Sequence, residues 1–142
     1  MKRLLIILPL ILFVCNTSLA QGTDFKMTRN LGFKESSNVQ SVNIKISEKT
    51  STLTLSINCA VRQGIVTIEI YDPNNEKQGE FTIEAIESEG DGSLFSELNE
   101  GVSGNINKLI NDPSLGNWSI KFIPKDATGR VNIQSRQVLF DN

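Results

Sequence analysis

Four features of the chain carry side chains capable of chemistry: a thiol, a crowd of carboxylates, an acidic turn and a lone tryptophan. The thiol is Cys59, in Leu53-Thr54-Leu55-Ser56-Ile57-Asn58-Cys59, where it falls in line with Leu53, Leu55 and Ile57. A cysteine on that apolar alternation reads as a small core residue. Burial raises a thiol's pKa, and the sequence holds no histidine to activate it. The absence of histidine also removes the usual general base and the commonest transition-metal ligand. The carboxylates Glu87, Glu89, Asp91, Glu97 and Glu100 crowd the span 88–104 and its border, together with Gly90, Gly92, Gly101 and Gly104. A glycosidase needs two carboxyls held about 5–9.5 Å apart across a sugar, on a cleft. A chain with one tryptophan and one tyrosine offers little to line such a cleft. The span therefore reads as a solvated acidic loop, and as the place where a functional surface would sit on a rigid scaffold.

Asp72-x-Asn74-x-Glu76 has the opening spacing of a calcium loop. Lys77, however, stands where an EF-hand requires glycine, and Ile83 where its bidentate glutamate belongs. No metal site and no cofactor is expected. Trp118 alternates with Ile120 and Phe122, which makes it a core anchor rather than an exposed platform for a sugar ring. Tyr71 is the other aromatic that such a platform would use.

The elements that must position these residues are strands. Val42, Ile44 and Ile46 alternate with polar residues, as do Leu53 to Cys59, Val66 to Ile70, Phe81 to Ala85, Trp118 to Phe122 and Val131 to Ile133. A period of two is that of a strand with one buried face. Glu48-Lys49-Thr50-Ser51 is a polar connection that makes the first two runs a hairpin. Asp72-Pro73-Asn74-Asn75 makes a hairpin of strands near Ile65–Tyr71 and Glu80–Glu87. Pro124 to Gly129 reads as a further turn, and Gly129 to Phe140 as one long strand. The count is seven to eight short strands without a helix: a single antiparallel β-sandwich, Ig-like or jelly-roll in strand order.

The first twenty residues stand apart from this pattern. Lys2 and Arg3, the apolar run Leu4–Val14 and the small residues Ser18 and Ala20 make a cleavable export signal. The run is too short for a lasting membrane span, so no transmembrane segment is expected in the mature chain. Lipid anchoring through Cys15 is disfavoured, because Val14 occupies the place where such a signal has a small residue. The expected divisions are a leader at 1–20, an irregular arm at 21–38 and the sandwich at 39–142. Lys2 and Arg3 leave with the leader and no acid does, so the formal charge of −2 becomes −4. Without a basic cluster in the sequence, nucleic acid is not an expected partner.

The strand ending in Asp72-Pro73-Asn74, the later Pro113-x-x-Gly116-Asn117-Trp118-x-Ile120-x-Phe122 and then Thr128-Gly129-Arg130-Val131-x-Ile133 carry a resemblance. The chain resembles small bacterial β-sandwich modules of the P-domain and pre-peptidase C-terminal type, and Ig-like domains of secreted proteins from Gram-negative gut bacteria. The matching positions cover under a quarter of the chain. The resemblance implies the sandwich fold; in such modules the sandwich is usually appended to a catalytic domain, and some relatives bind calcium. Together these observations imply an exported, periplasmic or secreted, non-catalytic module with no catalytic residues. Its expected mode is protein interaction with an envelope or extracellular partner, with edge-strand self-association as one route. Carbohydrate binding is the alternative and a small hydrolase a remote third; the binding residues are not identifiable from sequence.

Overall fold

The computed structural model describes residues 24–85 and 101–140; the leader with Cys15, the carboxylates of 87–100 and the last two residues lie outside them. Six strands make up most of the described residues, and no helix occurs among these. They are β1 (Phe25–Ser36), β2 (Gln40–Ile46), β3 (Thr50–Tyr71), β4 (Lys77–Ala85), β5 (Val102–Asn111) and β6 (Gly116–Leu139). All pairings are antiparallel.

The frame is one long ribbon. β3 and β6 pair from Thr50 opposite Leu139 to Tyr71 opposite Ser119, and each half of the ribbon gains a strand on either side. The half built from the start of β3 and the end of β6 is flanked by β1 and β5, in the order β1-β6-β3-β5. The other half is flanked by β2 and β4, in the order β2-β6-β3-β4. These two layers, sheet I and sheet II, enclose a single apolar cluster that runs from Phe33 and Leu53 to Phe122 and Ile133.

A strand that passes from one layer to the other must keep its apolar side toward the shared core, so its alternation has to change phase. Both long strands do this. In β3 the buried residues are Leu53, Leu55, Ile57, Cys59 and Val61, then Val66, Ile68 and Ile70. In β6 they are Trp118, Ile120 and Phe122, then Ala127, Val131 and Ile133. The register slips between Val61 and Ile65, and the two bends meet. Gly64 has φ +77° and Asp126 φ +46°. A Cβ on Gly64 would lie 2.4 Å from the Asp126 carbonyl oxygen, so only glycine fits this crossing. Pro124 lies just past Phe122, the last residue of β6 paired with β2, where one side of the strand no longer needs an amide donor.

Four expectations are corrected here. The seven to eight short strands are six, because the breaks at Arg62-Gln63-Gly64 and at Pro124–Gly129 are bulged bends inside continuous strands. Counted by layer, the two bent strands supply four segments and the total is eight, the upper end of the seven to eight expected. The irregular arm at 21–38 contains β1, twelve residues paired with β6 from Phe25 opposite Gln137 onward. The sandwich therefore begins well before residue 39. Exposed polar residues on both faces of this edge strand hid its period. Finally, β2 and β3 are not a hairpin. β2 pairs with β6, and the 47–49 link carries the chain from sheet II to sheet I.

The last link is held by two polar contacts of Gln137, one within sheet I and one to β2 of sheet II. Thr50 Oγ1 donates to Gln137 Oε1 at 3.0 Å, and Gln137 Nε2 donates to the Lys45 carbonyl oxygen at 3.2 Å. The hairpin of β3 and β4 does form, closed by Asp72. Its Oδ1 accepts from the amides of Asn74 and Glu76, both at 2.9 Å, and its Oδ2 from Gln78 Nε2 at 3.2 Å. The two Asp-Pro turns abut: a Cβ on Gly116 (φ +120°) would come within 3.0 Å of Pro73.

Candidate functional site

The structure disperses the chemistry-bearing residues of the sequence. Cys59 is wholly buried, and burial pushes its thiol pKa up to about 11, so it is neither accessible nor a thiolate. Trp118 is 3% exposed, and its indole N–H donates to the Ser114 carbonyl oxygen at 2.9 Å. Tyr71 pairs with Ser119, the residue after Trp118. The two aromatics therefore lie on opposite faces of sheet II and form no shared platform.

Tyr71 is itself occupied. Its hydroxyl donates to Glu69 Oε2 at 2.8 Å, while Lys121 Nζ stands 4.6 Å from the ring centroid and Lys77 Nζ 5.9 Å. Lys77 also bonds Glu69 Oε1 at 2.8 Å and pairs with Glu80. The hydrogen bond from Lys77, then that from Tyr71, lowers the Glu69 pKa; the bond to Glu69 raises those of Tyr71 and Lys77. The outer face of sheet II is a self-paired charge network, with its aromatic ring beneath lysines. The Asp72 oxygens accept from donors of their own loop.

The outer face of sheet I is different. Its positions are the polar residues that alternate with the core, and the strand register stacks them in transverse rows. Asn30 lies opposite Asn132, Asn132 opposite Asn58, and Asn58 opposite Asn105, so one asparagine from each strand crosses the whole sheet. At the usual strand spacing this row is on the order of 14 Å long. The row beside it is Thr28, Gln134, Ser56 and Asn107. Asn132 Nδ2 donates to Asn30 Oδ1 at 2.7 Å, and Gln134 Nε2 to Asn132 Oδ1 at 3.2 Å. The Asn58 and Asn105 side chains are exposed.

Basic residues bracket the amides. On one side are Arg130, opposite Ala60, with Arg62 and Lys34 beyond it; on the other are Arg136 and Lys26. Arg136 pairs with Asp24 just outside β1, and no carboxylate stands on the outward positions of the rows between them. Three hollows lie on this face. One of about 740 Å³ is bordered by Lys34, Asn58, Arg62, Ser103, Thr128 and Arg130. A second, of about 430 Å³, shares Asn58 and Arg130 with it and adds Asn30 and Asn132. The third, about 330 Å³, lies along Lys26, Thr28, Ser56 and Gln134.

A carboxamide offers an acceptor oxygen and two donor hydrogens, and a hydroxyl offers both roles. The guanidinium groups add a fixed fork of donors. This face can hold a polar ligand by hydrogen bonds and neutralise its negative charge. The Cys59 thiol faces the core, and histidine is absent from the chain.

Sequence reasoning missed this face because each outward residue, taken alone, belongs on a solvated surface. Its legible signal was compositional. The outward positions of four strands are mostly amide, hydroxyl and basic without an acid among the described residues, in a chain with more acids than bases. The acidic span favoured from sequence lies outside the described residues, apart from Gly101 and the first residues of β5.

No family model matches the chain, and no curated protein matches it. Solved structures similar to it include a chain of the Bacillus endospore appendages, which form disulfide-linked pili. That likeness is 13% identical, covers 84% of this chain and 92% of that one, and has a TM-score of 0.48. Another is a carbohydrate-binding module, CBM28, specific for non-crystalline cellulose: 14% identical, 81% and 74% covered, TM-score 0.43. At these values neither likeness speaks to what this chain does.

Proposed function

We propose that the chain is an exported, non-catalytic binding module of the bacterial envelope that takes its ligand on the outer face of sheet I. The observation that carries this reading is the row Asn30-Asn132-Asn58-Asn105, bracketed by arginines and set in shallow hollows. Aligned amides with exposed members are a surface suited to hydrogen-bonding a ligand that lies across the strands. Export rests on the leader at 1–20, with the periplasm or the exterior as destination. The P-domain or pre-peptidase type of module remains the family reading that the Asp-Pro turns support.

The test is binding of the purified exported protein to an immobilised envelope fraction. The double variant Asn58→Ala, Asn132→Ala is expected to bind at least about tenfold more weakly with an unchanged melting temperature. Asn43→Ala, on β2 of sheet II, should bind as the parent does. Equal binding by the double variant would sink the assignment of this face.

A second reading, pairing with a protein partner, draws on the sheet edges. Among the described residues β1, β2, β4 and β5 each hydrogen-bond one neighbouring strand, and their outer edges are suited to a partner strand or a second copy.

A further inference from the structure

We propose that the ligand of this face is an acidic polysaccharide, an extended chain of uronate-type sugars, bound with its rings over the asparagine row and its carboxylates against the arginines. The inference rests on the binding-face reading above and names the chemistry of its ligand.

Three features of the face select that chemistry. The first is hydrogen-bond character. Asn58 and Asn105 present donors and acceptors side by side in exposed positions, which suits ring hydroxyls that both donate and accept. The second is charge. Arg130 and Arg62 border the hollow of about 740 Å³ with Lys34, and among the described residues no acid stands at the outward positions of its rows. A guanidinium fork binds a carboxylate through two parallel hydrogen bonds. The third is shape. Two of the hollows share Asn58 and Arg130 and so form one open depression over the asparagine row, with the third beside it along Thr28, Ser56 and Gln134. An open depression fits a polymer better than it encloses a small molecule.

The same features disfavour the other polyanions. Binding of single-stranded nucleic acid uses aromatic faces for its bases, and the outward positions of sheet I hold no aromatic residue. An acidic peptide would need apolar pockets for its side chains, whereas the large apolar residues at these outward positions, Leu109 and Val138, stand toward one end of the sheet, away from the arginine-bordered hollow. A sulfate ester replaces a sugar hydroxyl with an anion and so removes a donor that the amide row would meet. A uronate carries its charge on the oxygens of its exocyclic carboxylate and leaves the ring hydroxyls free. Without an aromatic platform each sugar contact is weak, and avidity comes from many sugars engaged along one chain.

The experiment is retention of the exported protein on immobilised polygalacturonate, dextran sulfate and neutral dextran, at low and raised salt. The expected result is strongest retention on polygalacturonate, falling as salt rises. Arg62→Gln with Arg130→Gln should weaken it at least about tenfold with unaltered circular dichroism. Arg130→Lys, which keeps the charge and loses the fork, should fall between the two. Equal retention on neutral dextran, tighter retention on dextran sulfate, or indifference to the arginine variants would overturn the inference. The two readings fail separately. If the envelope fraction is bound through Asn58 and Asn132 while polygalacturonate is not retained, the uronate inference falls and the binding face stands. If neither is bound, both fall.

Discussion

Trp118 and Tyr71 show how one residue of offset decides a role. Trp118 points into the sandwich, 3% exposed, while Tyr71, opposite Ser119, faces outward beneath Lys121. Replacing Trp118 with Ala removes the largest side chain of the core together with its bond to Ser114. The expected loss is about 3–5 kcal/mol in urea unfolding, and a loss under about 1 kcal/mol would remove Trp118 from the core. Glu69 makes a prediction in pH. Lys77 and Tyr71 hold its folded pKa below the ordinary 4.5, so its contribution is complete above that value and is lost as pH falls through the lower folded one. The parent should therefore lose melting temperature on acidification through this window, and Glu69→Gln should lose less. Identical acid limbs would show that the contact adds nothing.

At the scale of elements, the bends of β3 and β6 are the decisive feature. Each is a phase change in the alternation that lets one strand serve two layers, and Gly64 sits where the bends touch. Gly64→Ala places a methyl against the Asp126 and Lys125 carbonyls and strains a backbone at φ +77°. Destabilisation on the order of 2–4 kcal/mol is expected; a change within about 0.5 kcal/mol would mean that the bend relaxes freely. The sequence marks this place only as a break between runs. Whether a break is a turn or a bulge depends on where the strand's partners continue, and the partner that follows β3 through its break is the distant β6, with Val61 opposite Gly129 and Ile65 opposite Lys125. The same blindness made β2 and β3 look like a hairpin. Their short polar link is local, but β3 takes β5 and β6 as neighbours and β2 takes β6. The β3–β4 hairpin was legible because Asp72 closes it with bonds inside its own turn.

At the scale of the whole molecule, charge is sorted by face. Sheet II carries Glu69 and Glu80 in a network with Lys77, while the outward rows of sheet I are basic and amide-rich. Net charge concealed this, since a chain that sums to −2 gives no hint of strand rows whose described outward positions carry no acid. The segments of β2, β3, β4 and β6 with their inward sides, the burial of Cys59 and Trp118 and the closing of the Asp72 turn were determined by the sequence alone, whereas β1 and β5 were not legible as strands. Alternation and turn chemistry act within a few residues and need no partner. Strand neighbours, the joining of runs across the bends and the alignment of Asn30, Asn132, Asn58 and Asn105 were decided only by the tertiary structure. Register is a relation between distant strands, set by how the whole core packs, and a row of side chains across four of them exists only once that register does.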